Sequence, residues 1–212
     1  MKKIAQSFAV LMLSALFFSA QANVLLFEEG KHYEVIGQTA SSKPNITEFF
    51  SFYCPHCFKF EFIAEGIEHN LPENVTFKKS HVDFLRAASP ETQHALTRAM
   101  VTAQKLKVGH KMVKAIFEHI HTQKQTFTGE ADIRKLFVAN GIDGKQFDSA
   151  MKSFGVKGAA NQMKKAQDTL SAKRALTGVP MFVVNDKYKI LSKELRSLED
   201  YNALVQFLLS KD

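Results

Sequence analysis

The only two cysteines of this chain of 212 residues lie three positions apart, where a strand pattern changes into a helix pattern. The aromatic run 49–52 is typical of a buried strand, and Pro55 suits the first position of a helix. A thiol at the start of a helix faces unpaired backbone N–H groups and the positive end of the helix dipole, and both favour the thiolate. We therefore predict that Cys54 is a reactive nucleophile and that Cys57, one turn deeper, is its resolving thiol.

The residues around the pair favour redox chemistry over the other uses of a C-x-x-C motif. Pro55 has no N–H group, and a protonated His56 would add positive charge beside Cys54. A structural zinc site usually needs more cysteines or a histidine pair, and haem attachment needs a histidine where Phe58 stands. A disulfide that closes so short a loop would stabilise the fold little. Histidines that could still complete a metal site, if the fold brought them close, are His110, His119 and His121.

The first 22 residues have the three parts of a secretory signal peptide. Lys2 and Lys3 are basic, residues 4–18 are apolar, and 20–22 have the small-x-small pattern of a cleavage site. The apolar run is shorter than the roughly 20 residues that a membrane span needs. We therefore expect an exported protein whose mature chain begins at Asn23.

Composition limits the function classes. The formal net charge is +7, but the lysines are scattered, without the basic stripe or aromatic-basic repeat of a nucleic-acid-binding protein. An apolar content of 45% with 19 phenylalanines can supply a sizeable core for one domain, or for one domain with a large insertion. An exported protein with a single close cysteine pair does not use disulfides as a scaffold, so the pair serves chemistry.

The hydrophobic periodicity predicts an α/β fold with a long helical insertion. A strand, a helix from Pro55 and a second strand imply a right-handed crossover between parallel strands. Asp143 followed by Gln146 indicates a capping box within the helical region, and Asn185-Asp186 suits the tight turn of a hairpin. The predicted elements are a strand over 31–36, a central strand over 46–52, a helix over 55–70, a strand over 75–84, helices throughout 90–175, a hairpin over 181–191 and a helix over 195–209.

One residue of the predicted central strand does not fit its apolar pattern. Glu48 could lie at a frayed strand end with its carboxylate in water, or it could be buried for a functional reason. The local sequence leaves both readings open.

In this order of elements the mature chain resembles the DsbA family of bacterial periplasmic thiol:disulfide oxidoreductases, which have a thioredoxin fold with an inserted all-helical domain. The resemblance covers essentially the whole mature chain. It implies a thioredoxin-like domain over 23–88 and 177–212 and a helical insertion domain over 89–176. The motifs that carry it are residues 48–52, the Pro55-His56 dipeptide, Lys79, His81 and Gly178-Val179-Pro180.

The resemblance also implies roles for individual residues. Pro180 would be the cis-proline beside the disulfide, and Val179 before it would offer its backbone to an extended substrate chain. Glu48 and Lys79 would form a buried acid–base pair beneath the site, with Glu48 as proton acceptor or electrostatic tuner for Cys57. Glu61 matches a further acid of the family, although it could equally be a solvated helix residue.

The activity implied is that of a dithiol oxidase, which donates its disulfide to newly exported unfolded polypeptides in the periplasm. A quinone-linked inner-membrane protein of the DsbB type would reoxidise it. No cofactor besides the Cys54–Cys57 disulfide is expected, and we expect a monomer because no spare dimerisation domain is visible. The alternatives are a disulfide isomerase or reductase and, from a different class, an exported chaperone or binding protein for a soft metal.

Overall fold

Residues 27–211, which the computed structural model describes, form one five-stranded sheet with α-helices on both of its faces. The predicted signal peptide lies outside the described residues. The strands are β1 (Tyr33–Val35), β2 (Asn45–Phe50), β3 (Thr76–His81), β4 (Met181–Val184) and β5 (Tyr188–Ile190). The helices are α1 (Pro55–His69), α2 (Pro90–Lys105), α3 (Gly109–Phe117), α4 (Glu130–Ala139), α5 (Gly144–Lys152), α6 (Phe154–Ala172) and α7 (Leu198–Leu209).

The strand order is β1-β5-β4-β2-β3, and it contains the predicted parallel pair. β2 and β3 are parallel and joined through α1, whereas β4 runs antiparallel to β2. The predicted hairpin joins β4 to β5, and its turn residues Asn185 and Asp186 have φ angles of 52° and 56°. Asparagine and aspartate tolerate this left-handed conformation better than most residues, so the turn and its sequence agree.

Alternate residues of the central strands face opposite layers of the molecule, as the period of a strand requires. Ile46 of β2 and Phe182 of β4 pack in a core that includes α1 and α7. Phe49 and Val183 face the other side, where Leu170 of α6 covers them. β2 is therefore buried on both faces, as a central strand requires, although Asn45, Thr47 and Glu48 are polar.

The helices α2 to α6 lie between β3 and β4 in the chain and share an apolar cluster with the cysteine segment. Phe52 and both cysteines belong to this cluster together with Met100 of α2 and Phe147 of α5. The structure therefore has the predicted fold class, a thioredoxin fold with a helical insertion. No helix within 27–211 is both long enough and apolar enough to span a membrane.

Several predicted boundaries are wrong by a few residues, and local hydrogen bonds explain two of them. β2 ends at Phe50 rather than at residue 52, because Ser51 starts a turn in which its carbonyl accepts the Cys54 N–H at 3.0 Å. The last helix begins at Leu198 rather than at 195, because Ser197 and Asp200 form a two-way capping box. β1 and β3 are also shorter than predicted.

Candidate redox site

Cys54 is the N-cap residue of α1, so its sulfur lies where the helix leaves backbone donors unpaired. Its Sγ accepts a hydrogen bond from the backbone N–H of Cys57 at 3.2 Å. On the other side, the thiol lies 3.4 Å from the carbonyl oxygen of Val179, to which it can donate. Both cysteines are free thiols in this structure, which therefore represents the reduced protein.

The two thiols have opposite acidities. The pKa of Cys54 is lowered to about 6, chiefly by a hydrogen bond from the Cys57 thiol, then by the backbone N–H groups of Cys57 and His56 and by the charge of His56. The pKa of Cys57 is raised, because its proton is engaged by Cys54 and because the side chain is buried. Cys57 is 0% exposed, compared with 6% for Cys54. The reduced pair is therefore a thiolate near the surface above a protonated thiol.

Beneath this pair, Lys79 bridges two carboxylates. Glu48 and Lys79 are directly paired across the parallel strands β2 and β3. The Lys79 ammonium donates to Glu48 Oε2 at 2.5 Å and to both carboxylate oxygens of Glu61 at 3.0 Å. Glu48 is 0% exposed, so the reading of a solvated, frayed strand end is wrong.

The pKa values of this triad reflect competition between burial and charge. Burial raises the pKa of Glu48 to about 7 and outweighs the attraction of Lys79. Burial alone would lower the pKa of Lys79, but the charges of Glu48 and Glu61 outweigh it and raise that pKa. A charge on Glu48 also contributes to the raised pKa of Cys57, after its hydrogen bond to Cys54 and its burial. Ionisation of the acid and of the deeper thiol is thus coupled.

The loop before β4 completes the surroundings of Cys54. The Val179–Pro180 peptide bond is cis, as the resemblance implies, and both residues are half-buried. The Val179 carbonyl lies against Cys54, although the two residues are 125 positions apart in the sequence. Pro55 and His56 lie exposed at the start of α1.

The three histidines considered as metal ligands have different contact partners. His110 is near Glu68 at 3.9 Å, and His119 stacks on Phe127. His121 contacts the backbone of the cysteine segment through the Phe52 carbonyl. Within 27–211 no group of three or more His, Cys, Asp or Glu side chains has the arrangement needed to hold a metal ion.

Three polar residues near the site were named from the sequence without a prediction of the contacts that they make there. Buried Ser51 accepts the Tyr53 N–H with its Oγ at 3.2 Å and so shapes the loop before Cys54. His81 is fully buried, which lowers its pKa to about 3, and its Nδ1 lies 2.8 Å from the Thr97 hydroxyl. His121 was considered only as a metal ligand. A serine directly before a reactive turn is a signal that could have identified Ser51.

Comparison with known proteins gives a consistent result. The family model described as DSBA-like thioredoxin domain matches residues 45–203. The thiol:disulfide interchange protein DsbA of Salmonella typhimurium is 36% identical over the full length of both chains. The protein of the same name from Haemophilus influenzae is 37% identical over 87% of this chain and 88% of its own length.

Two solved structures from Proteus mirabilis are also similar. The disulfide oxidoreductase DsbA of that organism superposes with a TM-score of 0.74 at 32% identity, covering 90% of this chain and 100% of its own. A complex of the Proteus protein with a non-covalently bound peptide gives a TM-score of 0.75 at 31% identity, covering 88% of this chain and 100% of its own.

Proposed function

This chain belongs to the DsbA family of thiol:disulfide oxidoreductases, and we propose that it is a periplasmic dithiol oxidase that donates the Cys54–Cys57 disulfide to exported polypeptides. The observation that carries this proposal is the place of Cys54 at the start of α1, where its Sγ accepts the Cys57 N–H at 3.2 Å. These surroundings lower the pKa of the thiol. A stabilised thiolate favours the reduced protein over the disulfide form. The disulfide form is therefore a strong oxidant, which tends to take electrons from substrate thiols.

The transfer takes place in two exchange steps. A substrate thiolate attacks Cys54 Sγ, the Cys54–Cys57 bond breaks, and the bonding electron pair leaves with Cys57. A second substrate thiolate then attacks the substrate sulfur of the mixed disulfide, and Cys54 leaves as the thiolate. The substrate loses two electrons and gains a disulfide, while the protein becomes a dithiol. The low pKa of Cys54 makes it a good leaving group in the second step.

Cys57 needs a proton when it leaves and must lose that proton when the protein is reoxidised. We assign this exchange to Glu48, whose pKa of about 7 lets it hold or release a proton near neutral pH. Lys79 keeps the buried carboxylate from being an unpaired charge when it ionises. Glu61 forms an ion pair with the same Lys79 ammonium and therefore competes with Glu48 for it.

The proposed substrate contact lies beside the cis-proline loop. Val179 is half-buried and reaches Cys54 with its carbonyl, so an extended chain docked along this loop would bring a substrate cysteine close to the sulfur. A peptide is bound by the Proteus relative, which supports a polypeptide substrate for this chain. Unfolded exported proteins expose both their cysteines and their backbone, and they are the substrate class we propose.

The remaining assignments follow the family. We propose reoxidation by a quinone-linked inner-membrane partner of the DsbB type, a monomeric mature protein, and removal of residues 1–22 after export. We also propose that 23–88 with 177–212 form the thioredoxin-like domain and 89–176 the insertion domain. The net charge is spread over the sequence, so we propose no nucleic-acid partner.

The test is to equilibrate the purified mature protein with a glutathione redox series and to titrate the alkylation of Cys54 with pH on the same sample. We expect a strongly oxidising couple and half-maximal alkylation well below the ordinary thiol range. A couple near that of thioredoxin together with an ordinary thiol titration would contradict the oxidase and support a reductase. Tightly bound, stoichiometric metal in the reduced protein would support the metal-binding alternative.

A further inference from the structure

One histidine of the helical insertion contacts the cysteine segment both before and after Cys54. His121 Nε2 lies 2.8 Å from the carbonyl oxygen of Phe52, two residues before Cys54. Its ring stacks on Phe58, four residues after Cys54, with ring centres 5.1 Å apart and planes within 11°. We propose that His121 is a positioning residue for thiol–disulfide exchange, which holds the loop and the first turn that together present Cys54.

The first contact fixes the loop. A carbonyl oxygen only accepts hydrogen bonds, so Nε2 of His121 carries the proton and donates it. The N–H groups of Tyr53 and Cys54 are paired within the loop, with the Ser51 hydroxyl and the Ser51 carbonyl. The carbonyl of Phe52, a residue that is itself fully buried, instead receives its donor from the insertion. Without that donor a backbone acceptor next to the redox motif would lose its partner, which a folded protein avoids by shifting the backbone.

The second contact fixes the helix. Residues four apart lie on the same face of a helix, so Phe58 projects on the side of α1 where Cys54 begins it. The His121 ring therefore holds α1 through Phe58 while its Nε2 holds the preceding loop. A shift of either part relative to the other would change the 3.2 Å hydrogen bond from the Cys57 N–H to Cys54 Sγ.

His121 reaches these contacts from an unusual backbone. Residues Glu118–Thr122 form a π-helical turn that continues α3, and the Gln123 N–H bonds to the Glu118 carbonyl at 2.9 Å. Such turns are rare and occur frequently at functional sites. Phe117, just before the turn, packs on Phe52 with ring centres 5.1 Å apart. The wide turn thus lies where the insertion meets the redox loop.

If His121 positions Cys54, the loss of its contacts should change both the pKa of Cys54 and the redox equilibrium. If the loop is released, the Cys57 N–H and the Cys57 thiol stabilise the Cys54 thiolate in only part of the molecules. The pKa of Cys54 should then rise, and the equilibrium with glutathione should shift towards the disulfide form. A hydrogen bond of ordinary net strength corresponds to roughly a three- to tenfold change in that equilibrium constant.

The experiment uses three substitutions of one residue and one neighbouring control, all in the full mature chain. His121→Gln keeps an N–H donor at the position of Nε2, while His121→Phe keeps a ring without a donor, and His121→Ala keeps neither. His119→Ala is the control, because His119 lies in the same π-helical turn but stacks on Phe127 instead. For each variant the thiolate absorbance of Cys54 is titrated with pH and the glutathione equilibrium constant is measured.

We expect His121→Ala and His121→Phe to raise the Cys54 pKa and to shift the equilibrium about three- to tenfold. His121→Gln should stay nearer to the wild type, and His119→Ala should not change either quantity. The proposal is overturned if His121→Phe behaves like the wild type, or if His121→Ala lowers the melting temperatures of both redox forms equally and leaves the redox equilibrium unchanged.

The inference rests on the proposed function, but the two can fail separately. An ordinary pKa for Cys54 in the wild type would contradict the proposed oxidase. A wild type with an acidic Cys54 whose titration is indifferent to His121→Ala would contradict only the role of His121.

Discussion

Cys54 and Cys57 are separated by one turn of α1, yet their surroundings act on them in opposite directions. Cys54, at the helix start, receives hydrogen bonds from a backbone N–H and from a thiol, and its pKa falls to about 6. Cys57, one turn deeper, donates a hydrogen bond from its thiol to Cys54 and is buried, so it keeps its proton and its pKa rises. The comparison shows that two thiols one helical turn apart can differ strongly in acidity. The Cys54 sulfur is a good nucleophile and leaving group, whereas Cys57 keeps its proton.

The difference continues in the layer beneath. The surroundings of Cys54 include the exposed His56 and the carbonyl of Val179. Cys57 is instead coupled to the ionisation of Glu48, which is buried and paired with Lys79. The pKa of Cys54 is therefore lowered by donors at a helix end. The pKa of Cys57 is raised first by its hydrogen bond to Cys54 and by burial, and the charge of Glu48 adds a smaller contribution. Substitutions that change the surroundings of one thiol at a time test this asymmetry.

The largest effect should come from exchanging the two thiols for hydroxyls. Cys54→Ser should abolish disulfide donation to a peptide dithiol, because no attackable disulfide and no low-pKa leaving group remain. Cys57→Ser should also abolish donation but should still form a mixed disulfide with an activated disulfide reagent through Cys54. Mass spectrometry of the adducts separates the two variants. Equal adduct formation by both would contradict the assignment of Cys54 as the nucleophile.

A smaller effect is expected from Glu48→Gln. We expect reoxidation of the reduced protein by glutathione disulfide to slow about 100-fold at neutral pH, since a general base typically contributes at least that factor. The wild-type rate should show an inflection near pH 7, where Glu48 titrates, and the variant should lack it. Glu61→Gln is the matched control, because it also removes a carboxylate from Lys79. The same pH profile in all three proteins would exclude a proton role for Glu48.

The acidity of Cys54 should depend on the proton of its neighbour. Cys57→Ala removes the thiol that donates to Cys54, while Cys57→Ser supplies a hydroxyl donor at the same position. A hydrogen bond to a charged group contributes about 1.5–3 kcal/mol, so we expect the alanine variant to raise the pKa of Cys54 by about one to two units. The serine variant should lie closer to the wild type. Thiolate absorbance measured against pH gives both values, and identical titrations would leave the backbone N–H groups as the main cause.

The smallest effect concerns stability. The pKa of Cys54 is lower in the folded protein than the ordinary value of 9.0, so the folded reduced form binds fewer protons than the unfolded chain between about pH 6 and 9. The free energy of unfolding of the reduced protein should therefore rise with pH across this window and be lost as the pH falls through about 6. The gain at pH 7 is at most about 1.4 kcal/mol, because pH 7 lies only about one unit above the folded pKa, and solvent screening reduces it further.

Denaturant titrations of both redox forms at several pH values measure this gain. The oxidised protein is the control, since it has no thiol to titrate. A reduced form whose stability stays parallel to that of the oxidised form from pH 6 to 9 would contradict the lowered pKa.

Local patterns in the sequence were sufficient to predict most of the fold. The apolar run before Cys54 and the proline after it placed the strand-to-helix junction, and Asn185-Asp186 placed the hairpin turn. The capping of the helices was predicted less accurately. Asp143 does cap α5 by accepting the Gln146 N–H, but the two-way box is formed by Ser197 and Asp200.

The site depended on contacts between distant parts of the chain, which local patterns do not encode. Whether Glu48 is buried was undecided because its partner Lys79 lies 31 positions away, and only the register of β2 with β3 joins them. His121 lies 69 positions from the carbonyl that it contacts, in a π-helical turn for which the sequence has no clear marker. The resemblance to a family supplied the first of these pairings but not the second.

The apolar cluster shared by the cysteine segment and the insertion has a consequence for hydrogen exchange. Phe52 and both cysteines pack in one cluster with Met100 and Phe147, so local opening at the start of α1 disturbs α2 and α5 as well. Segments that open together protect their backbone amides to a similar degree. Stabilisation of the reduced form at Cys54 should therefore slow amide exchange in helices that contain no cysteine. The amide exchange rates of the insertion helices would then depend on the redox state of Cys54 and Cys57.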